Sequence, residues 1–415
     1  MVRRRRLLPA PCRTEARSVG RAGCARAPLR RREPRAHAGL ALHRSVVREH
    51  VALREKVAAA GGGGRTALDH HRRHDDALRG GARRREAPRR DARRGGARIL
   101  ERDEECVRTL EAELRVVSIV VVTWNSARYL PRCLEGIRAQ THRDLEVIAV
   151  DNASSDDSAS YFDRVIRNAS NRGFSAAVNQ ALAVARGEFV LLLNPDCFLA
   201  PDYISQLLPV FDDEHVGSAT GLLYRESGDG VDSAGMRMTR SGRHLDIAVA
   251  PKERTEVFGV SGAAAMHRMS FLRDAAIDGE ILDEDFFAYR EDADLAWRGR
   301  LFGWRAVCEP RAIAHHVRRV TPETRRTLPP EVNMHSVKNR FLLRFKNEGA
   351  YLALRNAPFE LFRDFVVLVA ALTIERTSLP AFAWLWRNHA RVHAKRRAIQ
   401  QRRKVSDREL ARWFR

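Results

Sequence analysis

The chain has 415 residues, 44% of them hydrophobic, enough to bury a sizeable core as one large or two medium domains. Its formal charge of +22 suggests nucleic acid until it is located: residues 1–114 carry 30 Arg/Lys against 15 Asp/Glu, so most of the excess belongs to the first quarter. Cys12, Cys24, Cys106, Cys133, Cys197 and Cys308 show no CxxC pair or other metal-ligand spacing, which excludes a zinc ribbon and a disulfide framework and points to a reducing, cytoplasmic setting.

Residues 1–98 are Arg, Ala and Gly with scattered Pro, include Gly61–Gly64, and hold no sustained period of 2 or 3.6. They are expected to be disordered, either as sequence upstream of a true start near residue 100 or as a basic arm for anionic lipid or nucleic acid. The apolar run after Arg3–Arg6 is too short for a signal peptide. Ile99, Leu100, Cys106, Val107, Leu110 and Leu114 fall near helical spacing, which predicts a short helix over 99–114.

From residue 115 the pattern changes. Val116–Val122 reads as a buried strand ending in Thr123, Trp124, Asn125 and Ser126, residues suited to turn the chain and cap a helix over Ala127–Ala139. A second strand, Leu145–Val150, delivers Asp151 and Asn152, and Ser154 or Ser155 is expected to cap the next helix. Asn171 and Gly173 then precede a helix through Asn179 that is expected to end at Gly187. The apolar strand Phe189–Leu193 carries Asp196 beyond its carboxyl end, with Pro195 stiffening the turn. Three strand–helix alternations imply an α/β fold with a mostly parallel central sheet, in which ligands bind beyond the strand carboxyl ends. Trp124, Asp151, Asn179 and Asp196 are therefore expected on one rim. Taken singly, Asp196 reads more readily as a helix cap or turn residue than as a ligand, and Asp151 has an Asx turn and Trp124 core packing as the alternative.

The order of these segments, with Asn194-Pro-Asp196 and Glu291-Asp-Ala-Asp-Leu295 added, resembles the family-2 inverting glycosyltransferases of the GT-A fold, most nearly their rhamnosyltransferase-like branch, over roughly residues 115–347. The resemblance implies transfer of a sugar, dTDP-rhamnose being one such donor, from a nucleoside diphosphate to a glycan or lipid-linked acceptor in cell-surface polysaccharide synthesis. It implies a nucleotide-sugar site at Thr123, Trp124, Asn125, Asp151, Asn152, Asn171, Gly173, Asn179 and Asp196. A divalent metal, Mg²⁺ or Mn²⁺, is implied at Asp196 and His316, because a departing diphosphate develops charge that a hard cation held by carboxylate oxygen can bridge. Asn194 stands where other members have a further carboxylate, His315 and His316 are otherwise ordinary loop histidines, and Arg318 and Arg319 replace small residues, which either changes the shape of the loop or brings guanidinium groups to phosphate oxygens. Gly173 is expected to admit a ligand to the backbone, and Asn171 and Asn179 to offer amides. The apolar segment Val260–Met266 corresponds to the sugar and acceptor pocket. Inversion by single displacement requires one base, and the resemblance places it at Asp292, with Asp294 and Arg298 as an i,i+4 structural pair and Glu291 as the rival carboxylate.

Residues 348–415 read as amphipathic helices that either pack on the catalytic domain or lie on the inner face of the plasma membrane. The run Phe359–Ile374 has too few unbroken apolar residues to span a bilayer, Leu379–Trp386 adds two Trp, and the basic run Arg387–Lys404 suits an anionic leaflet. A nucleotidyltransferase acting on sugar phosphates would share the sheet and an acidic site but would need a Gly-rich, Lys-containing phosphate loop that is missing. A non-enzymatic basic membrane or nucleic-acid binder would leave the ordered motifs unexplained, and nucleic acid is not expected as a partner.

Overall fold

The computed structural model describes residues 115–318 and 330–415, all within one compact unit. The expectations for residues 1–98, for the 99–114 helix and for Arg319 lie outside the described residues.

Strand β1 (Val117–Thr123) is the sheet's organising element. It pairs in parallel with β2 (Leu145–Asp151) on one side and β4 (Phe189–Leu193) on the other, and β2 pairs in parallel with β3 (Val165–Arg167). Alternation along β1 serves two cores. Val117, Ile119 and Val121 pack with Leu130, Cys133, Leu134 and Ile137 of helix α1 (Leu130–Arg138), while Val120 packs with Ala177, Val178 and Ala181 of α2 (Phe174–Leu182). The sheet then becomes mixed. β11 (Ala264–Arg268) runs antiparallel to β4 and to β6 (Val216–Arg225), and β12 (Arg305–His316) runs parallel to β6. The short β5 (Cys197–Leu199) and β10 (Thr255–Val257) pair with β12, and β7 (Val231–Ser233) pairs with β6. A hairpin of β8 (Met236–Met238) and β9 (His244–Asp246) forms a separate small sheet. The α/β architecture read from the sequence is the one found.

Three local expectations are corrected. Helix α1 begins at Leu130 rather than Ala127, because the Tyr129 N–H closes a turn on Ser126 O at 2.9 Å and Pro131 occupies the first helical turn. Asp156, not Ser154 or Ser155, caps the 3₁₀ turn Asp157–Tyr161, accepting from Ser158 N at 3.0 Å. The two serines instead tie this loop to Asn125: Asn125 N donates to Ser154 Oγ at 3.0 Å and Ser155 N to Asn125 Oδ1 at 2.8 Å. Gly187 does not end a helix, since α2 stops at Leu182. Its N–H meets Ser118 Oγ at 2.8 Å, and a Cβ there would lie 2.6 Å from that oxygen and 2.7 Å from Ser118 N, so close approach to β1 explains the glycine.

The carboxyl-terminal helices are packed on the sheet domain. After α3 (Tyr203–Leu207), α4 (Met269–Ala275) and α5 (Glu291–Leu301) come α6 (Pro330–Asn347), α7 (Ala350–Thr373), α8 (Pro380–Arg387) and α9 (His389–Gln401). Leu342, Leu352, Val392, Ile399, Leu410 and Phe414 share one core with Phe258, Phe286 and Trp297. The basic run is corrected in role, because much of it is used internally. Lys395 Nζ lies 2.6 Å from Asp283, 3.1 Å from Asp285 and 3.0 Å from Glu280, Arg391 pairs with Asp285, and Arg403 with Asp407 at 2.6 Å. Lys346 joins the same network through Asp283 and, at 3.0 Å, Asp294. A buried carboxylate stripped of its cation is costly, so Lys346→Ala is expected to destabilise the chain by about 3–5 kcal/mol. Urea unfolding monitored by circular dichroism reads this; a loss below about 1 kcal/mol would mean that water reaches the network.

Candidate active site

Strand register builds the site. Thr123 pairs with Asp151, so β1 and β2 end together at the sheet's carboxyl edge. Thr123 Oγ1 and Asp151 Oδ1 are buried there without a hydrogen-bond partner among the described residues, which is unusual for interior polar atoms and fits groups that await a ligand. Trp124, next along, is 52% exposed and so presents a face to solvent instead of packing in the core. Asn125 adopts φ 50°, steadied by the two serine contacts.

The amides are placed differently. Asn152 Nδ2 donates to Asn171 Oδ1 at 2.8 Å and to Gly173 O at 3.1 Å, while its Oδ1 accepts from Asn168 Nδ2 and Arg172 N, both at 3.0 Å. Asn179 grips Leu282 through both amide atoms, at 2.8 and 2.9 Å. These side chains build the wall in this structure. Gly173, at φ 86°, admits Phe287, whose ring and carbonyl would both lie 2.6 Å from a Cβ. The neighbour that the glycine accommodates is therefore a protein loop.

Asp196 sits beyond β4, as its position after Asn194-Pro195 predicts. Pairing of Cys197 with His316 across β5 and β12 brings His316 Nε2 to 3.6 Å from Asp196 Oδ1. Alternation along β12 sends the neighbouring His315 outward, where it stands exposed beside Tyr224. Asp232 was not singled out in the sequence. Its Oδ2 meets His316 Nδ1 at 2.8 Å, and Arg318 Nε approaches its other oxygen at 2.9 Å while also pairing with Asp246. Arg318 is thus engaged by carboxylates. Burial would lower the His316 pKa, but hydrogen bonds and charge from Asp196 and Asp232 raise it to about 9. The donor set fits a hard divalent cation in part: one carboxylate oxygen and one imidazole nitrogen converge, with a second carboxylate orienting the ring. Among the described residues no cluster of three or more such ligands stands together, so substrate oxygens and water would complete the shell.

Asp292 lies in the first turn of α5, with Oδ2 accepting from Gly262 N at 3.2 Å and Oδ1 from Ala293 N at 2.7 Å. The two carboxylate regions are connected. Asn194 N donates to Ala263 O at 2.9 Å, next to the Gly262 that holds Asp292. Glu291 is buried, its Oε2 has no hydrogen-bond partner among the described residues, and burial with the Asp292 charge raises its pKa to about 8. Burial also raises the Asp292 pKa. Asp294 is fully buried and held by Arg298 Nε at 2.9 Å, Lys346 and Asn347 Nδ2 at 2.7 Å, the structural role its spacing to Arg298 implies. The approach to this pair is a strained loop: Phe287, Tyr289 and Arg290 have φ of 65°, 70° and 70°. Asn339 Nδ2 clamps it, reaching the carbonyls of Phe286, Ala288 and Tyr289 at 2.9, 2.8 and 2.8 Å.

Residues 118–274 match the sequence profile described as Glycosyl transferase family 2. Over that segment the chain is similar to glycosyl transferase family 2. One relative is the N-acetylglucosaminyl-diphospho-decaprenol L-rhamnosyltransferase of Mycobacterium tuberculosis, 28% identical over 48% of this chain and 76% of the relative. Another is glycosyltransferase GlyG of Streptococcus pneumoniae, 28% identical over 26% of this chain and 39% of the relative. The chain covers only 32%, 34% and 39% of the length of three curated relatives it matches. Among solved structures it is similar to the mannosyltransferase PcManGT of Pyrobaculum calidifontis in complex with GDP-Man and Mn²⁺, at 20% identity and TM-score 0.43 over 69% of this chain and 85% of that one. The α/β fold with a large central sheet expected from the motif order is the one the structure shows.

Proposed function

We propose that this chain is an inverting family 2 glycosyltransferase that moves a sugar, with dTDP-rhamnose the foremost donor, onto a glycan or lipid-linked acceptor during cell-surface polysaccharide synthesis. The observation that carries the reading is the linked pair of sites: Asp196 with His316 at the end of β4, and Asp292 joined to them through Gly262, Ala263 and Asn194. Thr123 and Asp151 receive the nucleoside and Trp124 flanks its base. Asp196 and His316 hold Mg²⁺ or Mn²⁺, which when bound supplies charge to stabilise the departing diphosphate. Asp292 takes the proton of the acceptor hydroxyl as it attacks the anomeric carbon, on the face opposite the leaving group. Asn339 keeps the loop before Asp292 in place.

The test is incubation of the full chain with a panel of nucleotide sugars, Mn²⁺ and lipid-linked acceptors, following nucleoside diphosphate release and the anomeric configuration of the product by NMR. No release with any donor would refute the reading, and a retained anomer would refute inversion.

The reading includes work at the inner face of the plasma membrane. No helix among the described residues is long and apolar enough to cross a membrane. Helix α7 nevertheless exposes Leu361, Phe362, Phe365 and Leu372, and Ile374 and Trp386 beyond it are 77% and 80% exposed. This apolar stripe, in place of the basic run, is the surface offered to lipid. Phe362→Glu combined with Phe365→Glu is expected to abolish sedimentation with phosphatidylglycerol vesicles at low salt; retention of binding would return the role to the arginines.

A further inference from the structure

Strand β12 leads from Arg305 to His316, and at about 3.3 Å per residue its two ends stand roughly 35 Å apart. At the Arg305 end, away from the carboxylates described above, a cleft of about 410 Å³ opens between β10, the turn after α5 and the segment 405–413, walled by Trp304 and Trp413. Its charged groups fall into two sets. Arg300 is buried and spent: Nε donates to Phe258 O at 3.0 Å, Nη1 to Glu256 at 2.5 Å and Nη2 to Val257 O. Arg305 is tied to Asp213 at 2.6 Å and to Glu256 at 3.6 Å, and Glu409 accepts from Ser406 N and Oγ, both at 2.8 Å. Both carboxylates of the cleft are thus engaged. Arg408 and Arg412 are not: each is exposed, neither forms an ion pair among the described residues, and their guanidinium groups lie over rings, 5.6 Å from Tyr351 and 5.3 Å from Trp413. Burial, then the charges of Arg412 and Arg305, hold the Arg300 pKa down to about 10 against Glu256, which places Arg412 beside a wall already basic.

The cleft is preformed. Lys404 and Val405 N–H both donate to Leu301 O, at 2.8 and 3.1 Å, Leu410 and Phe414 are buried with Phe258 and Trp297, and Ser406 and Glu409 close a capping box. Because Arg300 occupies the carbonyls of Val257 and Phe258 beside the sheet's outer strand, β10, a visiting strand cannot pair there, and recognition falls to side chains. The groups left over are donors. A ligand rich in acceptors and poor in donors suits them, which favours carboxylates over sugar hydroxyls. Arginine and tryptophan together anchor protein–protein interfaces, a guanidinium forking onto a carboxylate while an indole covers an apolar side chain. A second copy of this chain, with its net charge of +22, is the wrong partner for a basic wall.

We propose that this cleft docks an acidic segment of a partner protein, with Asp or Glu side chains on Arg408 and Arg412 and an apolar side chain against Trp304 and Trp413. The surface is independent of the transferase reading above. A partner held there leaves the carboxyl edge of the sheet, with Thr123, Asp151 and Asp196, open to substrate.

The test is fluorescence anisotropy of the full chain with a labelled decapeptide in which Leu and Phe stand among Glu residues. The peptide is expected to bind, to weaken by about tenfold or more when its Glu residues are Gln, and to weaken again when its Leu and Phe are Ala. Arg408→Gln combined with Arg412→Gln is expected to cost about tenfold or more, as loss of hydrogen bonds to charged groups would, with each single variant in between. Both arginines are exposed, so thermal melts of the variants should match the native chain. Arg397→Gln, an exposed arginine outside the cleft, should bind as the native chain does. The proposal is overturned if the native chain does not bind the Glu peptide or binds its Gln counterpart as well, if the double variant binds like the native chain, or if removing Leu and Phe changes nothing. Displacement of the peptide by a glucuronate tetrasaccharide or by ADP at equal concentration would overturn it in favour of a glycan or a nucleotide. Failure of the transferase reading is read elsewhere, as absence of nucleoside diphosphate release from any donor, and leaves this titration unchanged.

Discussion

Asp292→Asn is expected to lower transfer to the acceptor by about 10²- to 10⁴-fold, the usual worth of a general base, while donor affinity barely moves. The amide keeps the shape and can still accept from Ala293 N–H, giving up only the longer contact from Gly262 N–H. It cannot take a proton. Glu291→Gln is the informative companion. Glu291 ionises near its ordinary 4.5 when unfolded but only near 8 in the fold. The native chain therefore holds a proton that the unfolded chain has released, and stability falls as pH rises from about 4.5 to about 8. Gln removes that loss, so the variant should be at least as stable as the native chain at pH 8 and keep its turnover. Steady-state rates with several acceptor concentrations, alongside donor binding measured by calorimetry, check both. If Glu291→Gln is dead and Asp292→Asn active, the base lies one residue earlier; if both are active, the proposed displacement is wrong.

How much of this fold was legible in the sequence depended on how far apart the interacting residues lie. β1, β2 and β4 could be read because buried parallel strands are runs of Val, Leu and Ile, and the residues after them must fall at the sheet's carboxyl edge. Asp151 and Asp196 were found that way, and the i,i+4 spacing of Asp294 and Arg298 disclosed their pair. The amides misled, since an Asn suited to a ligand is equally suited to a backbone: Asn179 holds Leu282 and Asn152 holds the loop through Asn168 and Gly173. Asp232, Asn339, Lys346 and Lys395 gave no signal. Their partners lie 84, 53, 52 and 112 positions away, and no local period marks a residue whose role is set by a contact at that separation. The same holds for the basic run. Its composition suited an anionic leaflet, yet Lys395 is 4% exposed because its charge is met by Asp283 and Asp285.

Asp196→Ala is expected to abolish metal-dependent binding of the nucleoside diphosphate, because it removes the carboxylate oxygen that faces His316 Nε2. The structure adds a graded prediction. Asp232 accepts from His316 Nδ1 at 2.8 Å, which fixes the ring and leaves Nε2 turned toward Asp196. Asp232→Ala leaves both proposed ligands in the chain but frees the imidazole to rotate and swap tautomers. The expected cost is about 10- to 100-fold in apparent Mn²⁺ affinity, the range seen for residues that orient a metal-bound histidine. His315→Ala should have no such effect, since His315 points away beside Tyr224. Titrating Mn²⁺ into each variant at fixed nucleoside diphosphate, with binding followed by calorimetry, orders the three. An Asp196→Ala protein with native affinity would remove the cation from this edge of the sheet. An Asp232→Ala protein indistinguishable from native, with Asp196→Ala inactive, would leave Asp196 as a ligand and show that His316 serves only to pair its charge.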